Sequence, residues 1–428
     1  MKVKIFPSKI SGHVSAPASK SSMQRACAAA LLHTGTTRIK NPGTSNDDKT
    51  ALNIISQFGA KTQFTEGELT INSPGFPEGL TGENKIIGCG ESGLSVRMFT
   101  PIAALSSIKM ILEGEGSLQN RPMNFFDQIL PQLGVQIIST NGRLPLEIKG
   151  PLQPADISVD GSLSSQFLTG LLFAYGASVK KPVTISVNDL KSKPYIDLTL
   201  DVMQHFGYNI SHEDYKYFRV KPKNDRVDSV IYYTVEGDWS SASFLLVAGA
   251  IAGGVKVSGL DEKSSQADKA ILKVLRDCGA DVIISNEFIE VRKSALKAFM
   301  FDATDCPDLF PPLVAMAAYC KGNSVIKGMH RLASKESNRA ETLKEVFGLM
   351  GVDILLHNDE MIIKGGDPVH GAEISSHNDH RIAMAAAVAA LGARGNIFVS
   401  HAEAVNKSYP EFFADLQKIG GVSEITEP

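Results

Sequence analysis

Six times along the 428-residue chain, an amphipathic run of alternating apolar and polar clusters ends at a glycine and passes into an extended piece. The runs are ISQFGAKT at Gly59, LPQLGVQI at Gly134, MQHFGYNI at Gly207, LRDCGADV at Gly279, FGLMGVDI at Gly351 and LQKIGGVS, marked at Gly421. Successive intervals are 75, 73, 72, 72 and 70 residues. Glycine directly after a periodic apolar run is a helix C-terminal signal, because it enters the left-handed conformation without a Cβ penalty. A fixed period of this length predicts a repeated supersecondary unit.

A second pattern recurs in phase with the first. A polar turn precedes a helix that is apolar on nearly all sides: SKSSMQRACAAALL from Ser19, ESGLSVRMFTPIAAL from Glu91, SLSSQFLTGLLFAYG from Ser162, DWSSASFLLVAGAIAGG from Asp238, CPDLFPPLVAMAAYCKG from Cys306 and NDHRIAMAAAVAALGARG from Asn378. A helix without a polar face belongs in a core. β-rich pieces such as TTRIKN, VTISVN, VKVSGL, SVIKGM and NIFVS follow these helices. Each unit therefore reads as strand, buried helix, strand, outer helix and strands. An ordinary α/β sheet with elements of similar length would not keep two markers in phase. Six units divide into three per domain, with a boundary near Val235-Glu236-Gly237-Asp238. Within a domain the buried helices would then all point the same way.

Composition narrows the partners. A chain this long exceeds a single core and suggests two domains of about 200 residues. With net charge −3 and no basic runs, it lacks the coherent positive surface that nucleic acid requires. The longest apolar stretch, Phe244 to Val255, is too short for a bilayer, and MKVKIFPSKISG lacks a signal-peptide core, so a cytoplasmic protein is expected. Five cysteines with no Cys-x-x-Cys spacing read as reduced, packed thiols. No His/Asp/Glu set has metal-ligand spacing, so no metal is expected.

The candidate chemistry lies in charges placed against the helix dipole. Lys20 and Arg25 fall in the first buried-helix start, Arg97 in the second, and His380 with Arg381 in the sixth. Arg121, Lys335, Arg339 and Lys407 are read at outer-helix starts. Cations favour helix C-termini, so their accumulation at N-termini calls for an anion. Ser19, Ser162 and Asp238 fit simple caps and need no ligand. Arginine supplies a planar fork for carboxylate or phosphate and lysine a point charge, so the ligand carries more than one anionic group. Two carboxylates stand among the cations, Asp308 and Glu336. Either could cap a helix or pair with Arg339; beside a reacting hydroxyl or carbon they could act as general base and acid. Glu-Ser-Gly-Leu-Ser at residues 91–95 is not a nucleophile elbow, since its first glycine is missing.

Together these residues resemble the 5-enolpyruvylshikimate-3-phosphate synthase (3-phosphoshikimate 1-carboxyvinyltransferase) family over essentially the whole chain. The resemblance rests on PASKSSMQR (17–25), VDGSLSSQFLTGLL (159–172), SKPYIDLTL (192–200), EGDWSSAS (236–243), SKESNR (334–339) and NDHRIAM (378–384). It implies an α/β fold: a two-domain inside-out α/β barrel of six βαβαββ repeats, three per domain. The implied domains are 19–235, mainly for shikimate 3-phosphate, and 236–428 with the N-terminal strand 1–18, carrying the catalytic carboxylates and part of the phosphoenolpyruvate site. The implied reaction moves the enolpyruvyl group of phosphoenolpyruvate to the 5-hydroxyl of shikimate 3-phosphate and releases phosphate, a step of aromatic amino-acid biosynthesis that needs no metal or organic cofactor.

Carried over by position, Lys20, Ser21, Arg25, Ser164, Ser165, Gln166, Ser192, Tyr195, Asp308 and Lys335 would bind shikimate 3-phosphate. Lys20, Gly93, Arg121, Gln166, Arg339, Arg381 and Lys407 would bind phosphoenolpyruvate, with His380 in support. Asp308 is assigned as base toward the 5-hydroxyl, and Glu336 with Lys20 as proton donor and acceptor at the methylene carbon. A lysine among other cations loses its proton more readily, which suits such a shuttle. The partners are thus small molecules, with no nucleic acid or membrane, and a monomer is expected because the family's site lies within one chain.

The sequence departs from the family at three places, one of them Arg331, which stands where some members have Asn and is left out of the site. Leu94 stands where many members have Thr, and Met98 replaces the Pro after the arginine; both shape the back of the phosphoenolpyruvate pocket. Two other readings compete. The sister transferase that uses UDP-N-acetylglucosamine typically has Lys-Asn where this chain has Lys20-Ser21, and a cysteine near the Arg121 position, whereas LEGEGSLQNRPM has none. A non-catalytic anion-binding scaffold of the same repeats would be better served without Asp308 and Glu336.

Overall fold

Helices lacking a polar face have to be enclosed, and in the computed structural model all six are. It describes residues 1–78, 80, 82–223, 229–333 and 335–426; Ser334, first residue of the SKESNR stretch, falls outside them. The enclosed helices are α1 (Lys20–Leu32), α2 (Gly93–Ala103), α3 (Ser165–Ser178), α4 (Trp239–Ala252), α5 (Phe310–Ala317) and α6 (His380–Ala390). Every residue of α2, α4, α5 and α6 is buried.

The chain forms two compact units, one of Ala18–Val235 and one of Met1–Pro17 with Glu236–Pro428. In the first, α1, α2 and α3 pack on one another; in the second, α4, α5 and α6 do. Three four-stranded sheets lie outside each set of helices. Alternating buried and exposed positions, as in Leu146–Lys149 and Tyr217–Lys221, turn one face of these strands to the helices and the other outward. Helices within and sheets without make each unit an inside-out α/β arrangement.

One repeat shows the connectivity. Strand Asn84–Gly88 leads into α2 and then into Lys109–Glu113, which pairs parallel with it. The outer segment follows, and the hairpin Gln136–Ser139/Leu146–Lys149 adds the two antiparallel strands. Three sheets borrow a strand from elsewhere in the sequence. Val230–Thr234 completes the first sheet beside Gly35–Lys40. Ile10–Ser15 pairs parallel with Gly253–Ser258, and Lys2–Phe6 inserts antiparallel between Ile397–Ser400 and Val422–Thr426. The N-terminal segment is therefore two strands in two sheets rather than one. The last repeat supplies only one strand after its outer helix, and Lys2–Phe6 fills the vacant place.

The glycine marker holds with one change of position. Gly59, Gly134, Gly207, Gly279 and Gly351 all have φ between +76° and +100°, and in the sixth repeat the left-handed residue is Gly420 (φ +98°), not Gly421. In every repeat the left-handed glycine stands two residues before the following strand, and that spacing selects Gly420. The caps also shift. Ser19, Ser92, Ser164, Asp238 and Asp379 accept a backbone N–H at the starts of α1, α2, α3, α4 and α6. Ser162 does not cap α3, because the turn runs two residues further before the helix begins. The fifth start is a 3-10 turn, Pro307–Leu309, that leads into α5 without a side-chain cap. All five cysteines are buried thiols. Among the described residues, no helix is long and apolar enough to cross a membrane.

Close helix approach sets the position of α3. A Cβ on Gly170 would stand 2.6 Å from the Arg97 carbonyl oxygen and 2.8 Å from that of Met98, so the α2 and α3 backbones touch there. Such contact between backbone atoms leaves nothing flexible to yield. Gly170→Ala should therefore cost about 1–3 kcal/mol through overpacking, despite alanine's better helix propensity. Urea unfolding of the two proteins checks this; an unchanged or raised midpoint would show that the helices can separate freely.

Candidate active site

The first residues of α1, α2 and α3 are joined by polar contacts. Ser92 and Ser95 of the α2 start both donate to Gln24 Oε1 of α1, at 3.3 and 3.0 Å. Arg97, one turn into α2, donates to Gln166 Oε1 at 2.9 Å and lies over the Phe167 ring. A Cβ on Gly93 would meet the Arg121 and Arg97 guanidinium groups at 2.8 and 3.3 Å and Gln166 Oε1 at 3.8 Å. Gly93, Arg121 and Gln166 are thus brought together, with glycine leaving the room its neighbours occupy. Ser164 and Ser165 open α3 beside them.

Arg25 is 1% exposed. Its guanidinium donates to Thr199 Oγ1 at 2.8 Å and to the carbonyls of Ser21 at 2.8 Å and Tyr195 at 3.2 Å. All three acceptors are neutral. Burial pushes its pKa down to about 10, and Tyr195 and Tyr233 oppose that only in part. Tyr195 and Thr199 lie on helix Lys193–His205, whose N-cap residue, Ser192, has φ +55° and is buried. Lys20 pairs with Asp47 at 2.9 Å. Asp47 was not anticipated; its signal was the acidic pair Asp47-Asp48 at the next helix start.

The second unit gathers the other predicted residues around two carboxylates. Asp308, in the 3-10 turn before α5, receives Arg339 at 2.7 Å, Lys335 at 3.2 Å and Arg381 at 3.2 Å. Burial pushes the Asp308 carboxyl up, but Arg381, Lys335 and Arg339 together outweigh it and hold it well below the usual carboxylate range. Burial lowers the Lys335 pKa despite the opposing Asp308 charge. Arg339 also pairs with Glu336 and takes Asp379 through Nε at 2.7 Å and Nη2 at 3.2 Å. Burial disfavours its charge, yet Asp379, Glu336 and Asp308 more than compensate.

Asp379 is the member of this network that sequence reasoning missed, although it stands inside NDHRIAM. Fully buried, it caps α6 by accepting the Arg381 N–H at 3.0 Å, accepts from Ser337 Oγ at 3.1 Å, and fixes Arg339. His380 is buried next to it, its Nδ1 3.8 Å from Asp379 Oδ1. Lys407 ends the 3-10 segment Ala402–Lys407, which packs on α6. Of the four cations read at outer-helix starts, only Arg339 begins an α-helix. Arg121, Lys335 and Lys407 sit in the turns before those helices, since 3-10 or irregular segments precede them.

Comparison with known proteins gives the family of the chain. The family described as EPSP synthase (3-phosphoshikimate 1-carboxyvinyltransferase) matches residues 6–416. The chain belongs to the EPSP synthase family. It is 34% identical to the 3-phosphoshikimate 1-carboxyvinyltransferase of Clostridium novyi, covering 98% of each chain. It is 38% identical to that of Thermococcus kodakarensis, covering 96% of this chain and 98% of the other. Among solved structures, EPSP synthase from Acinetobacter baumannii superposes with a TM-score of 0.84 at 26% identity over the full length of both chains. The enolpyruvyl transferase NikO from Streptomyces tendae shares the fold, with a TM-score of 0.79 at 16% identity.

Two outcomes follow for the second unit. Asp379→Ala should cost roughly 2–4 kcal/mol, a lost cap plus a lost charge-assisted pair, while Asp379→Asn keeps the cap and costs less. Equal stability of all three proteins in urea would remove Asp379 from the network. Because the folded Asp308 carboxyl lies below the ordinary value of about 3.9, its stabilisation is present above that pH and is lost as pH falls through it toward the folded value. Asp308→Asn should flatten this acid limb, measured as unfolding midpoint against pH; a limb of unchanged slope would contradict the pairing.

Proposed function

We propose that this chain transfers the enolpyruvyl group of phosphoenolpyruvate to the 5-hydroxyl of shikimate 3-phosphate, yielding 5-enolpyruvylshikimate 3-phosphate and inorganic phosphate. The observation that carries the reading is one carboxylate, Asp308, held by three cations, Lys335, Arg339 and Arg381. Nearly full-length similarity to 3-phosphoshikimate 1-carboxyvinyltransferases supports the choice of acceptor. It favours shikimate 3-phosphate over a UDP-sugar.

The residues divide by chemistry. Arg25, with only neutral partners, offers its charge to the acceptor's phosphate. Lys20, Ser21, Ser164, Ser165, Gln166, Ser192 and Tyr195 complete the acceptor set with Asp308 and Lys335. Gly93, Arg121, Arg339, Arg381 and Lys407, together with Lys20 and Gln166, hold phosphoenolpyruvate. The first unit thus serves mainly shikimate 3-phosphate, and the second supplies the catalytic carboxylates.

In the addition step, the 5-hydroxyl oxygen bonds to C2 of phosphoenolpyruvate, its proton passes to Asp308, and C3 gains a proton from Glu336 or Lys20. The tetrahedral ketal then expels phosphate as C3 returns a proton. A carboxylate held far below its usual pKa is a weak base. Phosphoenolpyruvate, with its own carboxylate and phosphate, draws Arg339 and Arg381 toward itself and restores basicity to Asp308 when the donor is bound.

Phosphate release from phosphoenolpyruvate, assayed with shikimate 3-phosphate or with UDP-N-acetylglucosamine as acceptor, tests the reading. Release with the first acceptor alone is expected; release with neither would leave an anion-binding scaffold. Asp308→Ala should lose about 10²- to 10⁴-fold in kcat while shikimate 3-phosphate still binds. An unchanged kcat would remove Asp308 from the reaction.

A further inference from the structure

The segment that opens helix Lys193–His205 carries Ser192 in a left-handed conformation, φ +55°, which a serine holds only when its surroundings impose it. A hairpin outside the ligand-binding residues packs against the start of this helix. The hairpin of strands Asn209–Glu213 and Tyr217–Lys221 turns through Asp214 (φ +50°) and Tyr215 (φ +57°), with the Lys216 N–H returning to the Glu213 carbonyl at 2.8 Å. Two consecutive left-handed positions suit glycine or asparagine, and a tyrosine at the second is an outlier for a bulky residue. A backbone strain of this kind persists where the side chain is held by its neighbours.

The Tyr215 side chain is held on three sides. Its hydroxyl donates to Asp197 of the helix, with Oδ1 at 2.9 Å and Oδ2 at 2.8 Å. Its ring stacks on His212, centroids 4.2 Å apart at 29°, and Lys193 Nζ lies 5.5 Å from its centroid. His212 accepts the Tyr215 N–H through Nδ1 at 3.2 Å and packs on the buried ring of Phe218. Lys193 and Asp197 are one helical turn apart, so Tyr215 covers one face of the first turn. The next positions round the helix, Tyr195 and Thr199, carry the groups that receive Arg25. A continuous chain of contacts therefore runs from the sheet through Phe218, His212 and Tyr215 to the helix start.

We propose that Tyr215 is a positioning residue for the acceptor site: by clamping Lys193 and Asp197 it fixes the Ser192–Tyr195 turn that binds shikimate 3-phosphate. The inference rests on the proposed role of that turn. Orientation of a binding group by a rigid neighbour acts on affinity for the ligand it faces and leaves remote steps alone. The effect of losing the clamp therefore falls on one substrate.

Steady-state kinetics of Tyr215→Asn and Asp197→Ala, which break the same link from opposite sides, test this. Asparagine tolerates the left-handed turn, so the hairpin itself is kept. Both variants should raise KM for shikimate 3-phosphate about tenfold, with KM for phosphoenolpyruvate and kcat within about twofold of the parent. Tyr215→Phe, which keeps the ring contacts and loses the bond to Asp197, should fall between. An unchanged KM for shikimate 3-phosphate in both variants, or a parallel loss in all parameters with lowered thermal stability, would overturn the proposal. Tyr195→Ala is the companion measurement. If it raises that KM and Tyr215→Asn does not, the clamp alone fails; if it does not raise it either, the reading of the turn fails and the clamp with it.

Discussion

A buried cation needs a partner, and this protein buries several where the helix dipole makes them least welcome. Arg25, Arg97, Arg121, Arg339, Arg381 and Lys407 are all under 8% exposed, and each lies at or just before the first turns of a helix. Desolvating a charge costs several kcal/mol unless it is neutralised, and a helix N-terminus adds to that cost for a cation. Core helices made of alanine, glycine and large apolar residues contribute the stability that offsets it, each fully buried large side chain contributing about 1.5–3 kcal/mol. Sheets outside and helices inside are the arrangement that encloses such helices while leaving their polar starts to share one region in each unit.

The two units meet the cost differently. In the second, Asp308, Glu336 and Asp379 neutralise Arg339, Arg381 and Lys335 within the protein. Under the proposed function, the donor's anions would redistribute these partners, and the strongly acidified Asp308 would regain basicity. In the first, Arg25 is satisfied by a hydroxyl and two carbonyls and keeps its net charge. Under the proposed function, that charge is the one offered to the phosphate of shikimate 3-phosphate.

Much of this was legible in the order of residues. Left-handed glycines follow all six amphipathic runs because that backbone conformation is a local requirement, and the six apolar helices follow from local pattern too. Ambiguity between neighbouring residues was not resolved: the turn geometry selects Gly420 over Gly421 and Ser164 over Ser162. What pattern could not supply was partnership across the chain. Lys2–Phe6 and Ile10–Ser15 enter two different sheets, and Asp47 and Asp379 meet their cations, only because of tertiary packing. Arg25 was recognisable as a cation at a helix start, but its neutral surroundings come from residues 170 and 174 positions away.

If Arg25 is buried to receive an anion rather than to hold the fold, its charge should be a cost to the ligand-free protein. Thr199 Oγ1 retains the Tyr195 carbonyl and Thr169 as partners, so Arg25→Met leaves no hydroxyl stranded. The most direct measurement is the urea unfolding free energy of Arg25→Met and the parent, with and without saturating shikimate 3-phosphate. The variant should be as stable as the parent or more so without ligand, and should lose most of the ligand-induced stabilisation. A variant destabilised without ligand but stabilised by shikimate 3-phosphate as much as the parent would contradict the claim.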